Sequence, residues 1–173
     1  MGPANDARWL AHAAHWIAEG IDLIQIRERD LTARNLAELT RKVLRIPNPY
    51  GTKILVNDRA DVSIACNADG VHLRDGSVAP EKFARPDFTV TVSCHRVEDA
   101  DKLAGADFIL LAPVFTPLSK REQRPALGTE AIGAIARRSP TPVLALGGIT
   151  HANARLCVDA GAAGIAGITC FEL

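Results

Sequence analysis

The segment Gly105-Ala106-Asp107-Phe108 recurs in three related forms: Gly20-Ile21-Asp22-Leu23, Asn67-Ala68-Asp69-Gly70-Val71 and Gly161-Ala162-Ala163-Gly164-Ile165. Each copy lies where a helical pattern ends and a short apolar stretch begins, and the copies precede every second predicted strand. A helix-glycine-strand unit that returns at alternate strands fits the alternating strand layers of a (β/α)8 barrel better than a doubly wound sheet. The repeat therefore predicts an α/β fold of the (β/α)8 TIM-barrel type.

The apolar stretches predict seven strands, over residues 21–27, 53–58, 70–73, 89–95, 108–114, 142–147 and 163–170. The cores Ile54-Leu55-Val56 and Ile109-Leu110-Leu111 are continuously apolar, as expected for parallel strands that are buried on both faces. Most of the strands are separated by helix-length segments. One of these begins at Thr32, a residue suited to cap a helix, and its inner face is predicted to be Leu36, Leu39 and Val43.

A complete barrel needs a strand before the opening helix and usually a helix after the last strand, and neither pattern is found. The chain has 173 residues, fewer than the ~200 to 250 that are typical of the fold. We therefore expect a single phosphate-binding barrel domain over residues 1–173 that lacks the first strand and the last helix. A homodimer is expected to cover the apolar surface left at these ends.

Composition and charge restrict the class of partner. The 20 basic side chains are balanced by 20 acidic ones, so nothing favours nucleic acid or a membrane surface, both of which attract a basic excess. No apolar run approaches the ~20 residues of a membrane helix, and the first residues lack the order of a signal peptide. The expected protein is cytoplasmic and binds a small molecule.

Glycines at the last two strand ends predict a phosphate site. Gly147 and Gly148 follow one strand, and backbone amides can approach phosphate oxygens closely where no Cβ intervenes. Gly167-Ile168-Thr169 would add further amides and a hydroxyl at the strand 7 and 8 position, where barrels commonly hold phosphate. The alternative, that these glycines only make tight turns, stays open.

Three cations follow strand ends, namely Arg27, Arg29 and Lys120. They suit a polyanion such as a diphosphate, because arginine grips phosphate oxygens bidentately and lysine acts as a point charge. For Arg29 the alternative is a surface ion pair with Glu28 or Asp30.

Several motifs now occur together in order: Gln25-Ile26-Arg27-Glu28-Arg29-Asp30, Val56-Asn57-Asp58-Arg59, Asp69-Gly70-Val71-His72-Leu73, Val92-Ser93-Cys94-His95 and Ala145-Leu146-Gly147-Gly148-Ile149-Thr150. With them the chain resembles the thiamine phosphate synthase and TenI family, from Ile21 to Cys170. The resemblance implies the same barrel. It also implies an enzyme of thiamine biosynthesis that acts on thiazole phosphate or thiamine phosphate.

The synthase branch of that family couples a pyrimidine methyl diphosphate to thiazole phosphate and releases diphosphate with the help of magnesium. By resemblance, its substrate-binding positions correspond to Gln25, Arg27, Asn57, Ser93, Ser119 and Lys120, and the thiazole phosphate would be held by Gly147, Gly148, Ile168 and Thr169. Asp58 would be a magnesium ligand in this branch. Arg29 stands where the synthase usually has lysine, so the charge survives, and Arg29 and Lys120 would act on the departing diphosphate.

Other positions depart from the synthase pattern. After Val71-His72-Leu73 the synthase typically has Gly-Gln and then an acidic metal ligand, whereas this chain continues with Arg74-Asp75-Gly76-Ser77. Ser77 therefore aligns with the ligand, although Asp75 could replace it after a shift. This departure and the Arg29-Asp30 pair look closer to the TenI branch, which includes a thiazole tautomerase that needs no metal.

The leading interpretation is accordingly a tautomerase without a cofactor, in which His95 transfers the proton, since imidazole donates and accepts near neutrality. The alternative for His95 is a structural residue that hydrogen-bonds the next loop. Two alternatives for the function remain: a magnesium-dependent synthase, and a non-catalytic regulatory protein that binds a phosphate ligand.

Overall fold

The structure is a computed structural model that describes residues 3–116, 124–167 and 171. Helices and strands alternate in the predicted order. The α-helices in these residues are α1 (Pro3–Ala18), α2 (Ala33–Leu44), α3 (Ala60–Cys66), α4 (Gly128–Arg138) and α5 (Ala154–Asp159). The strands are β1 (Leu23–Ile26), β2 (Lys53–Asn57), β3 (Gly70–Leu73), β4 (Thr89–Cys94), β5 (Phe108–Leu111), β6 (Val143–Ala145) and β7 (Gly164–Ile165). All seven predicted strands are present. None of the helices in the described residues is long and apolar enough to cross a bilayer.

The chain divides into two compact units. Within the described residues, the first comprises residues 3–72 and 86–89, and the second comprises residues 73–85, 90–116, 124–167 and 171. In the first unit β1 pairs with β2 and β2 with β3, both in parallel. In the second unit β4, β5, β6 and β7 pair in parallel, each with the next strand along the chain.

Strand neighbours are thus chain neighbours within each unit, without the reversal of order at the centre of a doubly wound sheet. The predicted α/β fold of TIM-barrel type is confirmed. The single domain over residues 1–173 stays a prediction, and one cooperative unfolding transition seen by two different probes would support it.

The four repeats begin with the same backbone conformation. Gly20, Gly105 and Gly161 have positive φ values of 74°, 88° and 105°, and Asn67 has one of 53°. A left-handed residue ends a helix and turns the chain, and asparagine tolerates this region better than most side chains. The pattern that predicted the fold is therefore a repeated helix-ending turn.

In two of the four repeats the third residue, an aspartate, bonds the preceding strand twice. Asp69 donates its amide to the carbonyl of Ile54 at 3.0 Å, and its carboxylate accepts the amide of Ile54 at 2.8 Å. Asp107 makes the same pair of bonds with Val90, at 2.7 Å each. The carboxylate thus supplies a partner for an amide at the start of the preceding strand.

The fourth repeat has Ala163 at this position, which keeps the backbone bond to the carbonyl of Val143 at 2.8 Å but has no carboxylate. Ala163→Asp should restore the second bond and raise the free energy of unfolding by about 1 kcal/mol, since hydrogen bonds to charged groups are among the stronger ones. Urea denaturation measures the change, and Asp107→Ala should move the midpoint the opposite way. An unchanged midpoint for Ala163→Asp would show that the amide of Val143 gains nothing from a carboxylate.

The core of the first unit lies between helices α1, α2 and α3 and the strands. Thr32 caps α2, its hydroxyl accepting the amide of Asn35 at 3.3 Å, as predicted. Leu36, Leu39 and Val43 are almost fully buried, also as predicted. They pack with buried apolar residues of α1, of α3 and of strands β1 and β2, among them Ala13, Ile17, Ile24, Ile26, Ile54, Val56 and Val62.

The second unit has 3₁₀ helices, Pro80–Lys82 and Val97–Leu103, before β4 and β5. In the longer one the carboxylate of Asp99 accepts from Arg96 at 2.6 Å and from Lys102 at 2.8 Å. Both partners are three residues away, which is the period of a 3₁₀ helix. The two ion pairs are therefore compatible with the 3₁₀ geometry of this segment.

Candidate active site

Two predicted substrate-binding residues meet at the carboxyl ends of β1 and β2. The side-chain amide of Gln25 donates to the side-chain oxygen of Asn57 at 2.7 Å, and both side chains are half-buried. The bond fixes the orientation of both amides. It leaves the oxygen of Gln25 and the NH₂ group of Asn57 to bond a ligand.

Arg27 and Arg29 follow β1 directly. Partial burial lowers the pKa of Arg27 from its usual value, and the positive charge of Arg29 lowers it further. No ion pair joins Arg29 to Glu28 or Asp30, all of which lie in the described part of the chain. The surface ion pair that the sequence left open is therefore absent, and the two guanidinium groups repel each other.

Asp58 follows β2 in a left-handed conformation, with φ of 60°, and its amide donates to the carbonyl of His72 at 2.7 Å. A non-glycine residue with positive φ is uncommon and marks a constrained position. The carboxylate suits magnesium, which is usually bound by one or two carboxylates together with substrate phosphates. Among the described residues no group of three or more His, Cys, Asp or Glu could hold a metal, so an ion at Asp58 would need substrate oxygens.

In the second unit β4 carries Ser93 and leads into His95. The Nδ1 atom of His95 lies 2.6 Å from the carbonyl oxygen of Ala112, just after β5, and the amide of Ala112 donates to the carbonyl of Cys94 at 3.0 Å. Because a carbonyl oxygen only accepts, Nδ1 carries a proton in this contact, and Nε2 is the accepting nitrogen when the ring is neutral. This is the contact expected if His95 holds the next loop, and it leaves Nε2 for a ligand.

Cys94, between these two residues, is buried, and burial raises the pKa of its thiol. The negative charge of Asp75 raises that pKa further. Asp99 and Glu98 have the same effect on the pKa of this thiol. Asp75 is the residue that the sequence offered as a replacement for the acidic ligand lost at Ser77.

The turn after β6 is packed tightly against the segment after β5. Gly147 and Gly148 have φ values of 93° and 63°. A Cβ on Gly147 would lie 2.8 Å from Cα of Pro113, and one on Gly148 would lie 2.5 Å from the carbonyl oxygen of Thr116. Both glycines are thus required by conformation and by the neighbouring backbone, so their presence alone does not identify a phosphate site.

Hydrogen bonds hold this turn on two sides. The amide of Phe115 donates to the carbonyl of Gly147 at 3.0 Å. The side chain of Asn153 donates to the carbonyl of Gly148 at 2.9 Å and accepts the amide of Thr150 at 2.8 Å. Sequence reasoning missed Asn153. Its signal is an asparagine at the start of the helix that follows a glycine turn, where side chains often bond nearby backbone.

Four predicted site residues, Ser119, Lys120, Ile168 and Thr169, lie outside the described residues. The others fall at carboxyl ends of strands: Gln25, Arg27, Arg29, Asn57 and Asp58 in the first unit, and Ser93, His95, Gly147 and Gly148 in the second. Polar groups at the carboxyl ends of parallel strands are the usual active-site arrangement of a barrel-type α/β enzyme. The fold and these residues define that class of protein.

Comparison with known proteins identifies the family. The chain matches the family model described as thiamine monophosphate synthase over residues 2–171, and it belongs to that family. It is 39% identical over 165 residues to the thiamine-phosphate synthase of Haloarcula marismortui, covering 90% of this chain and 78% of the relative. It is 34% identical over 173 residues to that of Koribacter versatilis, covering 96% of this chain and 81% of the relative.

One solved structure supports this family, and a second one supports the fold. The thiamine phosphate pyrophosphorylase from Pyrococcus furiosus superimposes with a TM-score of 0.77 at 27% identity, over 92% of this chain and 78% of that one. FabK from Thermotoga maritima, at 20% identity and a TM-score of 0.72 over 94% of this chain and 54% of that one, shares the fold alone. The resemblance found in the motifs and the prediction of a thiamine-biosynthesis enzyme are confirmed. The relatives favour the synthase alternative over the tautomerase that led the sequence interpretation.

Proposed function

We propose that this chain is a thiamine-phosphate synthase, which couples a pyrimidine methyl diphosphate with thiazole phosphate and releases diphosphate. The observation that carries the proposal is the Arg27 and Arg29 pair beside the Gln25–Asn57 hydrogen bond. Two adjacent cations suit a diphosphate, which a tautomerase has no need to bind. The names of the relatives support the same choice.

The reaction breaks the bond between the pyrimidine methylene carbon and the diphosphate oxygen, and the electron pair leaves with diphosphate. The ring nitrogen of the thiazole donates the pair that forms the new carbon–nitrogen bond. Arg27 and Arg29 stabilise the charge that builds on the departing oxygens, since cations placed where charge develops lower the barrier. Asp58, together with substrate oxygens, would hold magnesium, which would supply further positive charge there.

The remaining site residues bind and orient the substrates. Gln25 and Asn57 offer one acceptor and one donor group in fixed orientation, as suits the ring nitrogen and amino group of a pyrimidine. Ser93, Ser119 and Lys120 complete the pyrimidine diphosphate side in this proposal, and Gly147, Gly148, Ile168 and Thr169 hold the thiazole phosphate. The predicted homodimer stays a prediction, which size-exclusion chromatography with light scattering would test.

The proposal assigns His95 to positioning rather than to proton transfer. His95→Asn tests this, because the asparagine NH₂ group can still donate to the carbonyl of Ala112 but has no ring to titrate. Synthase turnover should stay within about threefold of the wild type if His95 only positions its neighbours. If His95 were a general base, its loss would lower turnover at least about a hundredfold. His95→Ala, which also removes the bond to Ala112, is the comparison.

Two reaction mixtures, together with His95→Asn, decide between the enzyme reactions. Wild-type protein is incubated with both synthase substrates and magnesium, and separately with the unaromatised thiazole phosphate carboxylate alone. Thiamine phosphate in the first mixture supports the synthase. Aromatisation in the second, abolished by His95→Asn, with no thiamine phosphate in the first, would instead support the tautomerase. Binding of thiazole phosphate with no reaction in either mixture would support the regulatory alternative.

A further inference from the structure

The side chain of Asn153 closes the turn after β6 from one side. Its NH₂ group donates to the carbonyl of Gly148 at 2.9 Å, and its oxygen accepts the amide of Thr150 at 2.8 Å. Asn153 is half-buried and is the last residue before α5. One side chain thus fixes the orientation of the peptide groups on both sides of Ile149.

Peptide planarity converts these bonds into directions for the amides. In a trans peptide the N–H group points opposite to the C=O group. The carbonyl of Gly148 points at Asn153, so the amide of Ile149 points away from it. The carbonyl of Gly147 points at the amide of Phe115, so the amide of Gly148 points away from that segment. Both carbonyls of the glycine pair are therefore occupied, and the amides that follow them face elsewhere.

An anion needs this arrangement, because a carbonyl oxygen turned toward a phosphate would repel it. Glycine adopts a wide range of backbone angles, so the peptide between Gly148 and Ile149 can rotate unless something holds it. The only side chain seen to hold that carbonyl, among the described residues, is Asn153. The neighbouring backbone of Pro113 and Thr116 excludes a Cβ at the two glycines, whereas the bond from Asn153 acts on the peptide that joins Gly148 to Ile149.

We propose that Asn153 is a positioning residue that keeps the amides of Gly148 and Ile149 directed at a phosphate group. This deepens the proposed function, because the phosphate would be that of the thiazole substrate. Asn153 itself makes no contact with the phosphate. It acts by holding one peptide group in the orientation in which its N–H group, and not its oxygen, meets the anion.

The chain offers a matched control. The side chain of Asn48 donates to the carbonyl of Thr52 at 2.8 Å and accepts the amide of Thr52 at 2.8 Å, just before β2. Asn48→Ala therefore removes two bonds of the same kind at the amino end of a strand. If Asn153 served stability alone, Asn48→Ala and Asn153→Ala would have the same consequences.

The first experiment titrates ¹⁵N-labelled protein with inorganic phosphate and follows the amides of Gly148 and Ile149. Saturable shifts are expected for the wild type and for Asn48→Ala, with affinity weakened about tenfold in Asn153→Ala. Asn153→Asp should be weakened as well, because it can accept from Thr150 but cannot donate to Gly148. Equal affinity of wild type and Asn153→Ala, or no shifts in the wild type, would overturn the inference.

The second experiment measures KM for each substrate separately. Asn153→Ala should raise KM for thiazole phosphate about tenfold and leave KM for the pyrimidine diphosphate as it is in Asn48→Ala. An equal rise in both constants would indicate general damage and contradict the inference. If the wild type shows no turnover, the proposed function fails, and the phosphate titration still decides the role of Asn153.

Discussion

Replacing Arg27 with glutamine is expected to lower kcat/KM for the pyrimidine diphosphate about a hundredfold, the size of loss seen when one preorganised charge-stabilising group is removed from an active site. Desolvation lowers the pKa of Arg27, and repulsion by the positive charge of Arg29 lowers it further. A bound diphosphate removes that repulsion and gains charge-assisted hydrogen bonds. The measurement is steady-state kinetics with magnesium and saturating thiazole phosphate.

Two further variants make the result specific. Arg29→Lys keeps the charge and should retain most of the activity, whereas Arg29→Gln should lose it. Arg138→Gln is the matched control, since Arg138 is an exposed arginine at the end of α4 whose ion pair is with Asp101. If Arg27→Gln and Arg138→Gln have the same kcat/KM, the cations after β1 do not act on the diphosphate.

Replacing Gly148 with alanine is expected to lower the free energy of unfolding by about 3 kcal/mol, from left-handed strain and steric overlap together. Its φ is 63°, and the new Cβ would lie 2.5 Å from the carbonyl oxygen of Thr116 and 2.9 Å from the carbonyl carbon of Phe115. Neither obstacle is a flexible side chain, so the backbone itself must move. Urea denaturation followed by circular dichroism measures the loss.

Gly51→Ala separates the two contributions. Gly51 has a φ of 75°, and nothing lies within 4 Å of its added Cβ, so this variant should lose only the ~1 kcal/mol of conformational strain. An equal loss of unfolding free energy in the two variants would show that the segment from Pro113 to Thr116 moves aside at little energetic cost. If the expected difference is found, the turn after β6 is displaced in Gly148→Ala, and a loss of activity in that variant reflects the displacement. The Asn153 variants are then the cleaner test of phosphate binding by this turn.

The repeat predicted the fold because its information is local. Gly20, Gly105 and Gly161 have positive φ values, which few residues other than glycine adopt. Asn67 takes the same place in the remaining repeat, since asparagine also tolerates a positive φ. The burial of Leu36, Leu39 and Val43 follows from helical spacing, which is also local. The β/α order was therefore predictable from chemistry within a few residues along the chain.

The candidate site was predictable in part. Strand ends identified Gln25 and Asn57, and the structure joins them by a hydrogen bond. The sequence could not decide whether Gly147 and Gly148 bind phosphate or only form a tight turn. The backbone they pack against lies about 30 residues earlier in the chain. Asn153 was missed for a related reason. Its side chain bonds Gly148 and Thr150, which precede it, and the sequence indicates a turn there but not the direction of its peptide groups.

The lean toward the tautomerase rested on two short stretches, the Arg29-Asp30 pair and the turn in which Ser77 replaces an acidic residue. Similarity to synthases over most of the chain outweighs those two stretches. One carboxylate, that of Asp58, is within what magnesium needs when substrate oxygens complete its coordination. The loss of one acidic ligand at Ser77 was therefore a weak argument against a magnesium-dependent synthase.

The most direct test of the central proposal follows the reaction by ³¹P NMR. Catalytic amounts of the protein are mixed with pyrimidine methyl diphosphate, thiazole phosphate and magnesium. The proposal predicts that diphosphate and thiamine phosphate appear in equal amounts and through many turnovers. Spectra in which both substrates persist unchanged, under conditions where the protein binds thiazole phosphate, would contradict it.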